Sequence, residues 1–482
     1  VTDFAGQHVK PKDTIEEKDA HQKADVEIIK YLAKKERLFA KEKLIHSYPH
    51  CWRCDTPLLN YASSSWFVKV TALRDKLVNE NKKVEWVPAE IGEGRFGNWL
   101  LGARDWAISR SRFWGAPLPV WKDDKTGECK VLGSVEDLKK HSKAKNTYYV
   151  CRHGEAENNV KMIISSLAEN PHHLTDKGKK QAEDAGKWLT SKKIDLIFVS
   201  PFLRTRETAE IIAKKIGIDK KKIILEPRIH EINAGIWNGK GFNDFVTSFE
   251  HENRFTETPE GGENYADIKK RMGDFLYSLE KKYEGKNILI VSHDTPLFLL
   301  EAAAQGLDRE QSITLRGTSE HFNINAKPRK LDFSPLPHND EYEIELHRPF
   351  IDDIKLVSEK GNKMTRIPEV FDCWFESGAM PFGEAHYPFS KDDFNPKPGP
   401  FSKILGKTKG YPADFIAEGL DQTRGWFYTL HVLSTALFDR PAFKSAISHG
   451  IILGNDGQRM SKSLRNYPDV NEVFDRDGAD AM

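Results

Sequence analysis

Two histidines, two arginines and a glutamate carry the clearest chemistry in this chain: Arg152-His153, Arg204, Glu231 and His293. A neutral imidazole can attack phosphorus and hold the phosphoryl group covalently. Arginine forks bind nonbridging oxygens in pairs and offset their charge. The leaving oxygen needs a proton, and Glu231 is the best candidate, because negative charge on a bound phosphate raises the pKa of a nearby carboxyl. Spacing makes the set converge. His153 follows the run Thr147 to Cys151, Ser200-Pro201 and Arg204 follow the run Asp195 to Val199, and Ser292-His293 follows the run Asn287 to Val291. Ligands of doubly wound sheets bind at the carboxyl ends of strands. Three strand ends therefore bring these side chains toward one phosphoryl-transfer site.

Those strands need helices to cover them. Apolar spacing predicts helices over 177–189, 204–216 and 265–281. Continuous apolar strands alternating with helices predict a mostly parallel sheet buried on both faces.

Arg152-His153-Gly154-Glu155 with Asn159, Ser200-Pro201-Phe202-Leu203-Arg204, Glu231 with Gly235 and Trp237-Asn238-Gly239, Pro259-Glu260-Gly261-Gly262-Glu263, and Ser292-His293 together resemble the histidine phosphatase superfamily, which includes the cofactor-dependent phosphoglycerate mutases. The resemblance implies a three-layer α/β/α domain that needs no cofactor and acts on a phosphorylated small molecule. It implies His153 as the phosphorylated nucleophile, Arg152, Arg204 and His293 as the phosphate pocket, and Glu231 as the proton donor. Asn238 stands where many relatives carry Glu, and Asp294 rather than Gly follows His293. No large mutase-type insertion is evident, which favours a phosphatase.

The sequence on either side has a second character. It contains Asp105-Trp106-Ala107-Ile108-Ser109-Arg110-Ser111-Arg112-Phe113-Trp114-Gly115, Asp372-Cys373-Trp374-Phe375-Glu376-Ser377-Gly378, Ala413 to Phe427, and Arg459-Met460-Ser461-Lys462-Ser463. These stretches resemble class I aminoacyl-tRNA synthetases of the isoleucyl type. The resemblance implies ATP with Mg2+, isoleucine and tRNA for isoleucine as substrates of the intact protein. Lys462, a point charge on a flexible stem, would neutralise departing pyrophosphate, and Arg459 takes the place of the family loop's first lysine. Glu418, Asp421 and Gln422 would hold the aminoacyl adenylate, with Trp374 and Trp426 walling the side-chain pocket. The family's His-Ile-Gly-His element and threonine-rich editing pocket are not in this sequence. The 482-residue chain is therefore expected not to form aminoacyl adenylate.

Cys51-x-x-Cys54 is half of a tetrahedral zinc site, and the resemblance implies a partner pair upstream of Val1. A redox reading would need a thioredoxin-like context that is not seen. Relatives often have a second zinc ribbon near Cys129 and 358–364, a segment without cysteine here. Cys151 and Cys373 read as packed or strand-end thiols.

The chain has 482 residues, more than one compact core can use. Hydrophobic content of 39% and charged content of 30% suit a globular protein, and a net charge of +1 argues against nonspecific coating of nucleic acid. Five cysteines in this length are not a disulfide framework. No apolar run reaches the roughly 18 residues of a membrane span, and no signal peptide is evident. A cytoplasmic location and no membrane partner are expected. The fold class expected is α/β, with part of a Rossmann-like class I synthetase catalytic domain interrupted by a three-layer α/β/α histidine phosphatase domain. Residues 1–45 read as the tail of an editing domain with a helix around 24–39, 46–142 as the first part of the catalytic core, 143–342 as the inserted domain, and 343–482 as the second part. The Lys-rich run 139–146 reads as a solvated linker. A start at Val1 and an end within a helix-like segment read as a fragment of a longer protein. Remnant flanks around a phosphatase, or around a noncatalytic phosphate-binding module, are the alternatives.

Overall fold

Apolar runs bounded by turn residues set the architecture of the middle block. The computed structural model describes residues 20–42, 49–50, 58, 64–111, 115–250, 252–317, 322–390, 394, 396, 411–454, 456–460 and 465–481, with side chains from Val26 onward. The chain divides into two units, Val1–Ser65 and Trp66–Met482. In the first, a helix spans Ala20–Lys34. It stops short of the expected 39, because Glu36 takes a left-handed φ of 53° and breaks the helical ladder.

The middle block forms a five-stranded sheet. Its strands are β1 (Thr147–Arg152), β2 (Leu196–Val199), β3 (Ile223–Leu225), β4 (Asn287–Ser292) and β5 (Arg329–Lys330), in spatial order β5-β1-β4-β2-β3. All neighbours are parallel except β5, which runs antiparallel to β1. The mostly parallel sheet is as expected; the antiparallel edge and the short β3 are additions.

Helices α1 (Asp176–Leu189), α2 (Leu203–Ile216) and α3 (Tyr265–Lys282) fall within a residue of their expected limits. A fourth, α4 (Asp294–Gln305), follows β4 directly. Side chains alternate across the sheet. Tyr148, Val150, Ile288 and Ile290 pack with Phe275, Leu276 and Leu297 from α3 and α4. Tyr149, Cys151, Leu289 and Val291 pack with Ala185, Leu189, Ala209 and Ile212 from α1 and α2. These are three layers, α/β/α, and Cys151 is core as expected.

The segments on either side of this block join in one parallel sheet. Strand Phe443–His449 lies between Ala413–Gly419 and Glu85–Val87, pairing Ala446 with Trp86. Trp86, Phe96, Leu77, Phe427 and Phe443 form their shared core. A four-stranded antiparallel sheet, Leu356–Val357, Lys363–Arg366, Val120–Asp123 and Cys129–Val131, carries the junction with the middle block. Its core includes Trp121, Leu138 and Leu336, from before and after the middle block.

At that junction Ser142 Oγ donates to Pro335 O at 2.8 Å, and Leu331 N donates to Tyr148 O at 2.9 Å, so the two connecting strands run side by side. The Lys-rich run is not a free linker. Lys139 and Lys140 close the helix Val135–His141, and buried Asn146 donates to Tyr283 O at 2.7 Å and accepts from Lys286 N at 3.0 Å. Its amide supplies hydrogen bonds that the strand ends lack, and charge composition gave no sign of this. Among the described residues, no helix is long and apolar enough to cross a membrane.

Candidate active site

Register places the key residues of the middle block on one edge. Ser292 pairs with Arg152, His153 N donates to Ser292 O at 3.0 Å, and Ser200 N donates to Val291 O at 3.1 Å. The carboxyl ends of β1, β2 and β4 therefore meet as expected. The turn after β1 must pass close to α1: a Cβ on Gly154 would lie 2.5 Å from Gly178 O. Gly154 N donates to Thr208 Oγ1 at 3.0 Å, which ties this turn to α2.

The two imidazole rings lie 5.3 Å apart at 66°. His153 is 1% exposed. Arg204 Nε, which can only donate, points at His153 Nε2 at 3.2 Å. That leaves the ring proton on Nδ1, which donates to Gly154 O at 2.7 Å. The lone pair on Nε2 faces the guanidinium. Burial, with Arg204 and Arg152 nearby, holds the His153 pKa well below its ordinary value, so the ring is neutral.

Arg204 is also 1% exposed. It donates to Ser165 Oγ and Ser165 O at 3.2 Å each, and from Nη2 to His293 Nδ1 at 3.2 Å. His293 Nε2 then donates to Ser200 Oγ at 2.8 Å. Burial lowers the Arg204 pKa to about 10 without discharging it. His293 is held well below its ordinary value, first by burial and then by Arg204. Arg152 Nη1 donates to Asn323 O at 2.9 Å, and its buried Nε has no partner.

Glu231 Oε2 lies 3.4 Å from His293 Nδ1 and 3.8 Å from Arg204 Nη2. Its pKa is raised as expected, but the largest cause is burial, against an opposing pull from Arg204 and Arg152, with negative Asp294 adding a smaller push upward. Arg152, Arg204 and Glu231 line a cavity of about 120 Å³, several times the roughly 30 Å³ of one liquid water. Neither imidazole lines it, because Arg204 lies across His153 Nε2.

Several supporting roles lay outside the sequence reading. Ser165, in a loop without a motif, holds Arg204. Asp294, the residue that departs from the family pattern, accepts from Asn323 N at 2.6 Å and from Arg316 at 3.4 Å. It thereby fixes the segment whose carbonyl holds Arg152. Asn238 Oδ1 accepts from Ser166 N at 2.8 Å and steadies the loop bearing Ser165. Among the described residues, no group of three or more metal-ligating side chains is present.

In the flanking segments, Glu418 is the penultimate residue of the strand Ala413–Gly419, and Asp421 and Gln422 lie in the turn before the helix Trp426–Phe438. Gln422 Oε1 accepts from Trp426 N at 2.9 Å, and Trp426 Nε1 donates to Ser377 O at 3.0 Å. Trp374, 42% exposed, reaches over Gly425. Arg459 Nη2 lies 3.4 Å from Asp421 Oδ2, bringing Arg459 to this turn. Lys462, Cys51 and Cys54 lie outside the described residues. Cys129 is an exposed free thiol, and Cys373 is an exposed thiol opening the helix Cys373–Gly378.

The sequence model of class I tRNA synthetases (I, L, M and V) matches residues 8–176 and 336–482, more than half of the chain. The chain belongs to that family. The model of the histidine phosphatase superfamily (branch 1) matches residues 148–324, so this synthetase chain carries a histidine phosphatase domain between two synthetase segments. Isoleucine–tRNA ligase of Leifsonia xyli subsp. xyli is 32% identical over 459 residues, covering 94% of this chain and 23% of the relative. That of Treponema denticola is 31% identical over 461 residues, covering 95% and 23%. The chain thus spans less than a quarter of the length of these relatives. Among solved structures, mycobacterial glucosyl-3-phosphoglycerate phosphatase aligns with a TM-score of 0.34 and 21% identity, over 41% of this chain and 95% of its own. The alpha-ribazole phosphatase of Shigella flexneri aligns with a TM-score of 0.33 and 24% identity, over 41% and 98%.

Proposed function

We propose that the histidine phosphatase domain hydrolyses phosphate monoesters through a phosphohistidine at His153. The observation that carries this reading is the direction of the ring: Nδ1–H is committed to Gly154 O, and the Nε2 lone pair faces the arginine-lined side. The incoming phosphoryl oxygens take over the donors of Arg204 and Arg152, and Arg204 Nε leaves Nε2 for a phosphate oxygen. The Nε2 lone pair then forms the N–P bond as the ester P–O bond breaks. Glu231, whose pKa burial raises, gives its proton to the leaving oxygen. Gly154 O stabilises the positive charge that grows on the imidazole. In the second half Glu231 takes a proton from water, the water oxygen bonds to phosphorus, and the N–P bond breaks to release inorganic phosphate.

The flanks act as part of an isoleucine–tRNA ligase within a longer protein, using ATP with Mg2+, isoleucine and tRNA. The contact between Arg459 and Asp421 supports this, since it joins Arg459 to the turn bearing Gln422. Lys462 would neutralise pyrophosphate, Glu418, Asp421 and Gln422 would hold the adenylate, Trp374 and Trp426 would flank the side chain, and Cys51 with Cys54 would supply half of a zinc site. The domains divide at 45, 142 and 342, and the protein works in the cytoplasm.

His153→Ala decides the first reading. Loss of phosphate-monoester hydrolysis in a folded variant supports it, and retained turnover overturns it. An unmodified chain that binds phosphate without turnover would instead be a phosphate-binding module. For the second reading, the 482-residue chain shows no isoleucine-dependent ATP–pyrophosphate exchange. Exchange above background would contradict the need for the missing His-Ile-Gly-His element.

A further inference from the structure

The other edge of the phosphatase-domain sheet, where its parallel strands begin, carries lysine at each strand. Gly285 N donates to Lys145 O at 3.0 Å, Thr147 N donates to Lys286 O at 2.8 Å, and Asn287 Nδ2 donates to Lys193 O at 3.1 Å, so the starts of β1, β4 and β2 are laced into one rim. Lys222 directly precedes β3, which pairs with β2. These four side chains are exposed with the flanking segments in place. Neighbouring strands lie about 4.8 Å apart, so the line from Lys145 to Lys222 runs about 14 Å across β1, β4, β2 and β3. Lys281 and Lys282 close α3 at this rim, and Lys220 and Lys221 lead into Lys222.

The rim is not neutralised from within. Elsewhere lysines pair with an acid three residues before them, as Lys139 does with Glu136, Lys140 with Asp137 and Lys187 with Asp184. Among the described residues, no carboxylate lies within ion-pair distance of a rim lysine. The nearby acids are engaged by other groups. Asp195 Oδ2 accepts from Asn287 N, Asp219 Oδ1 accepts from Lys221 N, and buried Glu280 accepts from Tyr148 Oη, each at 2.8 Å. Glu284 adds one exposed carboxylate. In a chain of net charge +1, the rim is therefore a local positive field that attracts an extended polyanion. Trp188, 43% exposed at the end of α1, adds an aromatic face, with Lys192 Nζ 4.8 Å from its ring centroid. Cations beside an exposed aromatic suit phosphates that carry stackable bases.

We propose that this lysine rim binds an RNA backbone, so that the inserted domain holds RNA on the edge opposite its phosphate pocket. A line of about 14 Å meets about four consecutive phosphates at roughly 3.4 Å of axial rise each. RNA is favoured over other polyanions because the domain lies between two tRNA synthetase segments, and its connecting strands leave from the same rim. A groove of about 440 Å³ beside those strands is lined in part by Lys143 and Lys330, which extends the cations toward the flanks. The phosphohydrolase reading is not needed for this; the choice of RNA rests on the synthetase flanks.

The test measures binding of fluorescently labelled bulk tRNA to the full 482-residue chain by anisotropy over a series of KCl concentrations. The unmodified chain binds at about 0.1 M salt, and its affinity falls steeply as salt rises. The triple variant Lys193→Gln, Lys222→Gln and Lys286→Gln weakens binding by about 10-fold or more and flattens the slope of log Kd against log salt by about 2–3. A control with Lys177→Gln, Lys240→Gln and Lys270→Gln, away from the rim, changes net charge equally and keeps the slope within about 1. Thermal unfolding shows that the variants fold; if the triple variant does not, Lys222→Gln alone lowers the slope by about 1. Absence of tRNA binding overturns the proposal, as does an equal loss in the control. Tighter binding to vesicles of phosphatidylserine and phosphatidylcholine, or to polyglutamate, at the same salt also overturns it and makes the rim a membrane or protein contact. Binding of tRNA that the rim variant leaves unchanged places the RNA on the flanks; it overturns this proposal and leaves the ligase reading standing.

Discussion

Replacing Arg204 with lysine keeps the charge and removes the fork, so it isolates what the geometry contributes. Arg204 donates to His153 Nε2, Ser165 Oγ, Ser165 O and His293 Nδ1, each at 3.2 Å. These partners lie on three sides of a planar group. A lysine ammonium is a single point on a flexible stem and cannot span them. With phosphate bound, the fork presents two donors to the oxygens where lysine presents one, and the lysine is no longer held in place by Ser165.

Charge-assisted hydrogen bonds contribute about 1.5–3 kcal/mol each. Losing the equivalent of two, with the charge retained, removes about 3–4 kcal/mol of transition-state stabilisation, or ~100- to 1,000-fold in kcat/KM. The assay is steady-state hydrolysis of a phosphate monoester by Arg204→Lys beside the unmodified chain, with thermal unfolding to show that both are folded. A folded variant within about 5-fold of the unmodified chain would refute the claim that the fork organises the site.

The pH profile follows from the same burial. His153 must be neutral, and its pKa is held well below the usual value near 6.5, so the acid limb of kcat/KM lies below that pH. Glu231 must begin protonated, and its pKa is raised; rate is therefore lost as pH rises through that value. Glu231→Gln lowers kcat by about 100- to 10,000-fold and removes the alkaline limb, and a limb that persists assigns the proton elsewhere. Gly154→Ala puts a Cβ 2.5 Å from Gly178 O, backbone against backbone. It costs about 1–3 kcal/mol and lowers the domain's Tm by about 3–10 °C in calorimetry; an unchanged Tm would mean that the turn and α1 move apart freely.

The strand-end residues were legible because chemistry and pattern coincide there. Val150, Ile290 and Val199 sit in continuous apolar runs that only a sheet buried on both faces uses, and the polar residue after each run marks the carboxyl end. The edge strand Arg329–Lys330 was not legible: it is two charged residues long and owes its conformation to pairing with Tyr149 and Val150. The Lys-rich run concealed Asn146, whose role depends on strand ends distant in sequence. Ser165 sits in an irregular loop and acts through one hydroxyl and one carbonyl, a contact that only the folded chain defines. Asp294 drew attention as a departure from pattern, and its function became clear only with Asn323 beside it. In the flanks, Asp421 and Gln422 were legible from the strand-to-helix passage, whereas the approach of Arg459 to Asp421 required the tertiary fold.

The central claim is that His153 Nε2 becomes bonded to phosphorus during turnover. Rapid acid-free quenching of the chain with a slowly hydrolysed phosphate monoester, followed by peptide mass spectrometry, tests it most directly. One phosphoryl group on the peptide containing His153, lost in acid and absent from His153→Ala, is the predicted result. Steady turnover with an unmodified His153 peptide at every quench time would contradict it.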